Sequence, residues 1–142
     1  MIEFELDAHL AADSHWLADG PLSQLRLMDD TRFPWLVLVP RIEGAAEWVD
    51  LPSAEQAQLL EEINTAARLL RADGPCDKIN IGALGNIVRQ LHVHVVARSE
   101  GDAAWPGPVW GSGPALRHTP DGLLARLKSL QARLPGLAPG FA

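Results

Sequence analysis

Between Gly85 and Arg98 the chain reads Gly-Asn-Ile-Val-Arg-Gln-Leu-His-Val-His-Val-Val-Ala-Arg. Ile87, Leu91, Val93 and Val95 fall on one parity, and Val88, Gln90, His92, His94 and Val96 on the other. Alternation of period two in a run rich in β-branched residues predicts a strand over 87–97, anchored by its apolar face on a core. Gln90, His92 and His94 then share one face, with successive side chains roughly 6.5–7 Å apart. That spacing lets one small anionic group touch two of them at once.

Imidazole suits such a place because its pKa of about 6.5 leaves one ring free to attack while another holds a proton. Gly85-Asn86, just upstream, can bring backbone N–H groups and an amide close to a phosphate. Two other readings compete. His-x-His on a strand can offer two ligands to zinc, with His9, His15, His118 or Asp102 as third ligand, none at a telling spacing. Alternatively, both rings are only hydrogen-bonded side chains on a polar sheet face.

Gln90-Leu-His92-Val-His94-Val-Val resembles the histidine triad motif, with Gln90 in place of the first histidine. The resemblance implies an α+β fold, nucleophilic attack by His92 on an α-phosphate to give a nucleotidyl-histidine, and stabilisation of the transition state by His94. It also implies phosphate contacts from Gly85, Asn86 and Asn80, and a ribose contact from Asp29 or Asp30, between which it does not choose. Gln90 can hold a hydrogen bond but exchanges no proton at neutral pH. The substrate implied is a purine nucleotide or dinucleotide, such as diadenosine tetraphosphate or a nucleoside phosphoramidate. No cofactor is needed for the chemical step, though magnesium can accompany a polyphosphate. A homodimer is implied on the same ground. The rival function is a nucleotide- or phosphate-binding module without turnover.

The remaining elements follow from periodicity and breakers. Residues 6–17 suit a short helix, 22–28 and 35–39 a strand pair joined by the polar turn 29–34, and 77–82 a further strand. A long helix opens after Pro52 on a capping-box pattern, Ser53 and Gln56. It carries a stripe through Leu59, Leu60, Ile63, Ala66, Ala67 and Leu70, with Glu61 and Glu62 on the solvated side, and ends at Asp73-Gly-Pro-Cys. A last helix begins at Thr119 as N-cap and stops at Pro135-Gly136, leaving 137–142 as a frayed tail. The sum is a single α+β domain over 1–142, a mainly antiparallel sheet with two to three packed helices. Trp105 and Trp110, in a proline-braced loop, suit either a pocket wall or packing on the core.

Composition bounds the rest. A formal charge of −6 argues against a broad nucleic-acid surface. No apolar run approaches the roughly 20 residues a membrane helix requires, and residues 1–7 lack the positive start of a signal peptide. With Cys76 as the one cysteine, a cytoplasmic protein without an intramolecular disulfide is expected.

Overall fold

A computed structural model of the chain describes residues 4–137, 140 and 141. The order is α1 (Ala8–Asp13), β1 (Ser14–Asp19), β2 (Ser23–Met28), β3 (Trp35–Pro40), a 3-10 turn at Trp48–Asp50, α2 (Ser53–Asp73), β4 (Lys78–Gly82), β5 (Val93–Arg98) and α3 (Pro120–Leu137). The strands form one five-stranded sheet in the order β1-β2-β3-β5-β4, antiparallel at every pairing. This is the α+β fold with three helices.

β3 is apolar throughout because both of its faces are covered. Leu36 and Leu38 pack with Leu25, Leu27, Val93 and Val95 under Leu59, Ile63, Ala66 and Leu70 of α2 and Leu130 and Leu134 of α3. Trp35, Val37 and Val39 face the other way, into a smaller cluster with Leu10, Phe33, Val96 and Val109. Helices therefore cover one face, while the chain's early segment and the tryptophan loop cover the other. The polar side of β5 opens on that second face.

Several expectations are corrected. The predicted helix over 6–17 is a six-residue helix, its first turn capped by Asp7, followed by a strand. A bulge between Trp16 and Ala18 sets Leu17 and Ala18 both inward, which destroys the alternation that would have revealed β1. The histidine strand starts at Val93, not 87, so residues 87–92 are irregular. Ser53 is the first residue of α2 rather than its cap, and Gln56 instead donates to the Leu51 carbonyl and accepts from the Trp48 indole.

Glu62 is buried, not solvated. Its carboxylate accepts the backbone N–H groups of Leu22 and Ser23 at 3.0 and 2.8 Å, together with the Gln58 amide. A stripe argument assigns such a residue to solvent because it sees only the helix, whereas the acceptor is needed by the β1–β2 turn 39 and 40 residues away. Leu60, counted in the stripe, is half exposed. Thr119 does cap α3, accepting from Gly122 N–H at 3.1 Å, but the helix runs through Pro135 to Leu137. Of the tail expected to fray, residues 138, 139 and 142 lie outside the described residues; Phe141 is buried against Gly20, where an added Cβ would stand 2.8 Å from its ring.

Candidate active site

β5 delivers the histidines. His94 lies in the strand opposite Val37 of β3 and Gly82 of β4, and His92 stands immediately before it. Both side chains are buried, and their rings meet edge to face with centroids 4.9 Å apart. The shared face expected of them holds.

Each ring has one nitrogen committed. Nδ1 of His92 is 2.7 Å from the carbonyl oxygen of Gln90. A carbonyl only accepts, so Nδ1 carries the proton and Nε2 keeps its lone pair. Nδ1 of His94 is 3.0 Å from Nε1 of Trp35. Burial, and then the neighbouring His92, push the pKa of His94 down to about 3, so that ring is neutral at any ordinary pH. Trp35 and Trp110 flank it with centroids at 5.6 and 5.5 Å. Trp110 comes this close because position 82 is glycine: a Cβ there would sit 2.9 Å from the indole.

In front of His92 lies a cavity of about 620 Å³, the size of a small-ligand site. It is lined by the run Leu84 to Val88, by Val109, Trp110, Gly111 and Gly113, and by a polar group of Asp13, Asp29, Asp30, Arg32 and Arg117 beside Met28. Gly85 turns with φ of +69°, a conformation L side chains rarely adopt, and so bends the backbone around the cavity. Gly85, Asn86, Asp29, Asp30 and His92 are thus brought together. His94 packs edge to face against two of the lining rings, His92 and Trp110.

Both aspartates are heavily engaged. Asp29 Oδ1 accepts from the backbone N–H and the Nδ1 of His118 at 2.8 and 3.0 Å, and Oδ2 from His15 Nε2 and Arg117 at 3.0 and 3.1 Å. Burial alone would raise its pKa, but these donors hold the carboxyl far below the usual range. Asp30 takes the Arg32 guanidinium through both oxygens and the backbone N–H of Arg32 and Leu116. Arg32 in turn donates to the carbonyl of Ser112. The two aspartates therefore pin residues 112–118, which continue the Trp110 wall.

Two sequence-predicted residues lie elsewhere. Asn80 is not on the cavity; its Oδ1 accepts from the buried Arg98, whose other donors fork onto Asp102. That pairing outweighs burial, which alone would raise the pKa, and holds Asp102 down to about 2, and Trp105 lies over the same guanidinium at 5.8 Å. The tryptophan loop thus splits its roles, Trp110 at the site and Trp105 on a structural ion pair. Gln90 turns its side chain away, accepting from Asp7 N–H and donating to the Glu5 carbonyl, both at 2.8 Å. Of the residues weighed as further metal ligands, His15 and His118 bond Asp29 and Asp102 bonds Arg98; among the described residues no three His, Cys, Asp or Glu side chains group to hold a metal ion.

Sequence reasoning missed Trp35, Arg32 and Arg117. Trp35 could have been found from its register: it opposes Val96, one same-face step from His94. Arg117 carried no local signal, since only the fold brings it 3.1 Å from Asp29.

The comparisons with known proteins agree with this geometry. The HIT domain model matches residues 10–101. A histidine triad protein from Marinobacter aquaeolei VT8 superposes with a TM-score of 0.92 at 41% identity, over 96% of this chain and 100% of that one. One from Bradyrhizobium japonicum gives 0.89 at 43%, over 94% and 99%, and one from Sinorhizobium meliloti 1021 gives 0.88 at 46%, over 91% and 96%. No curated protein matches the chain. With a buried imidazole pair at the start of β5, His92 facing a glycine-turned cavity, and a family match spanning all five strands, the chain belongs to the HIT domain, or histidine triad, family.

Proposed function

We propose that the protein hydrolyses or transfers nucleotides at the α-phosphate through a nucleotidyl intermediate on His92. The observation that carries this is the 2.7 Å contact between His92 Nδ1 and the Gln90 carbonyl, which leaves the Nε2 lone pair for the phosphorus. That lone pair attacks, and the bond from phosphorus to the leaving oxygen or nitrogen breaks with its electron pair on the leaving group. Water then adds to phosphorus, the N–P bond returns its pair to Nε2, and the proton lost by water ends, through solvent, on the leaving group. His94, neutral and carrying its proton on Nε2, donates to the phosphate oxygens as negative charge builds on them. Gly85 and Asn86 supply further donors from the cavity wall, and the sugar and base lie toward Asp29 and Asp30.

The substrate class is a purine nucleotide or dinucleotide, with diadenosine tetraphosphate and nucleoside phosphoramidates as the compounds to try, and with magnesium added for the polyphosphate. Gln90 takes part through its carbonyl rather than its amide. We further propose a cytoplasmic homodimer: β4 is an edge strand with unpaired backbone groups and a half-exposed Ile81, and pairing it with its own copy would double the sheet. Light scattering of the purified protein tests that part.

The chemical proposal is tested by quenching turnover with each substrate and searching for a phosphorus-bound adduct by mass spectrometry. A nucleotidyl group on His92 is expected. A ligand bound in calorimetry but recovered intact across the whole panel would make the protein a nucleotide-binding module instead.

A further inference from the structure

The second imidazole is held by a residue outside the histidine motif. Trp35 opposes Val96 in the β3–β5 register, while His94 opposes Val37, so the indole reaches its histidine diagonally across the same face of the sheet. Its Nε1 lies 3.0 Å from His94 Nδ1. An indole N–H can only donate. The nitrogen it meets must therefore be the unprotonated one, which places the single proton of a neutral ring on Nε2. Were the ring to become imidazolium, Nδ1 would carry a proton as well, and two donors would face each other across that contact.

The indole has little freedom to move aside. It is buried, with Phe33 packed edge-on at 6.3 Å and Trp110 perpendicular at 6.5 Å. We propose that Trp35 is a positioning residue, which locks His94 as an Nε2–H hydrogen-bond donor and bars it from acting as an acid. Burial and the proximity of His92 act in the same direction on His94. The site then pairs His92 with a donor whose orientation and proton are fixed by a side chain on the neighbouring strand. The catalytic consequence rests on the nucleophile reading given above; the tautomer does not.

The test uses nitrogen NMR of the histidine rings in the intact protein, with Trp35→Phe and Trp110→Phe. Parent His94 is expected to show an unprotonated Nδ1 and a protonated Nε2 throughout about pH 5 to 8, with a scalar coupling between Trp35 Nε1 and His94 Nδ1. Trp35→Phe keeps an aromatic ring and deletes the N–H. It should let the Nδ1–H tautomer appear, raise the pH at which His94 titrates, add a second ionisation to the kcat profile and lower kcat roughly tenfold with KM nearly unchanged. Trp110→Phe trims the indole on the other side of the same ring and should leave the tautomer as it was.

A proton on Nδ1 in the parent, or no coupling to Trp35, would overturn the proposal even if Trp35→Phe failed to fold. A folded Trp35→Phe protein with the parent tautomer and pH profile would do so as well. Absence of turnover in the parent would sink the nucleophile reading and leave the NMR result standing.

Discussion

The carbonyl oxygen of Gln90 orients the ring of His92 from 2.7 Å, while the Gln90 side chain points to the chain's early segment and bonds Glu5 and Asp7. One residue thus serves the site through its main chain and the fold through its amide. Gln90→Ala should keep kcat within about threefold of the parent, because an alanine supplies the same carbonyl. The two lost side-chain bonds should cost about 1–2 kcal/mol of stability. Steady-state kinetics beside thermal melts check this. A collapse of kcat matching removal of His92 would return the amide to the chemistry.

The two histidines should separate in kind as well as degree. On the proposed chemistry, His92→Ala should abolish turnover while the protein stays folded and retains part of its nucleotide affinity. His94→Ala should remove one preformed donor and raise the barrier by roughly 2–4 kcal/mol, with circular dichroism expected to show an intact sheet. An unchanged rate in His94→Ala would deny that ring any part in charge stabilisation.

What could be read from the sequence were features whose physics is local. The run 87–97 alternates, Trp35 to Val39 is continuously apolar, and the stripe from Leu59 to Leu70 marks α2, so four of the five strands, the two long helices and the imidazole pair were legible in order. β1 was hidden by its bulge, and the start of β5 was placed six residues early because parity alone does not reveal where hydrogen-bonded pairing begins. The partners hidden at the site share one cause. Sequence offers a ligand as the natural partner of Asn80, Asp29 and Asp30, because their protein partners come together only in the fold. Arg98 bonds Asn80 away from the cavity, while Arg117 and Arg32 bond Asp29 and Asp30 on it, two of these contacts across 18 and 88 residues of chain.

The buried, neutral His94 should appear in the pH dependence of stability. Its pKa in the fold is near 3 against 6.5 for an unperturbed ring. As pH falls below about 6.5 the unfolded chain takes up a proton that the folded one refuses, so this residue lowers stability by up to roughly 1.4 kcal/mol per pH unit until about pH 3. Above the unfolded value both states are neutral and it contributes no slope. Urea titrations between about pH 6.5 and 4.5 should show the fall, and His94→Gln should flatten it. An equal slope in parent and variant would mean that the ring is protonated in the folded state.

Asp29 bears on the cavity through what it holds. Four donors converge on its two oxygens, from His15, from Arg117, and from the main chain and ring of His118, and they tie the 112–118 wall to the end of β2. Asn at this position keeps the shape but offers one acceptor oxygen and a donor pair, so one obligate donor, Arg117 or the His118 N–H, faces another donor and a histidine ring must change tautomer to keep its bond. Asp29→Asn should cost about 2–3 kcal/mol, as expected when buried charge-assisted hydrogen bonds are left unmade, and should raise hydrogen exchange over residues 112–118 while β5 remains protected. KM should rise more than kcat falls, since the Asp29 carboxylate bonds the wall and neither imidazole of the pair. The carboxyl's lowered pKa also means that its stabilisation is complete above the ordinary carboxylate range and drains away as pH falls below it, so parent and variant should converge in stability toward strong acid. A wall that exchanges no faster in Asp29→Asn would show that the segment is held by Asp30 and Arg32 alone.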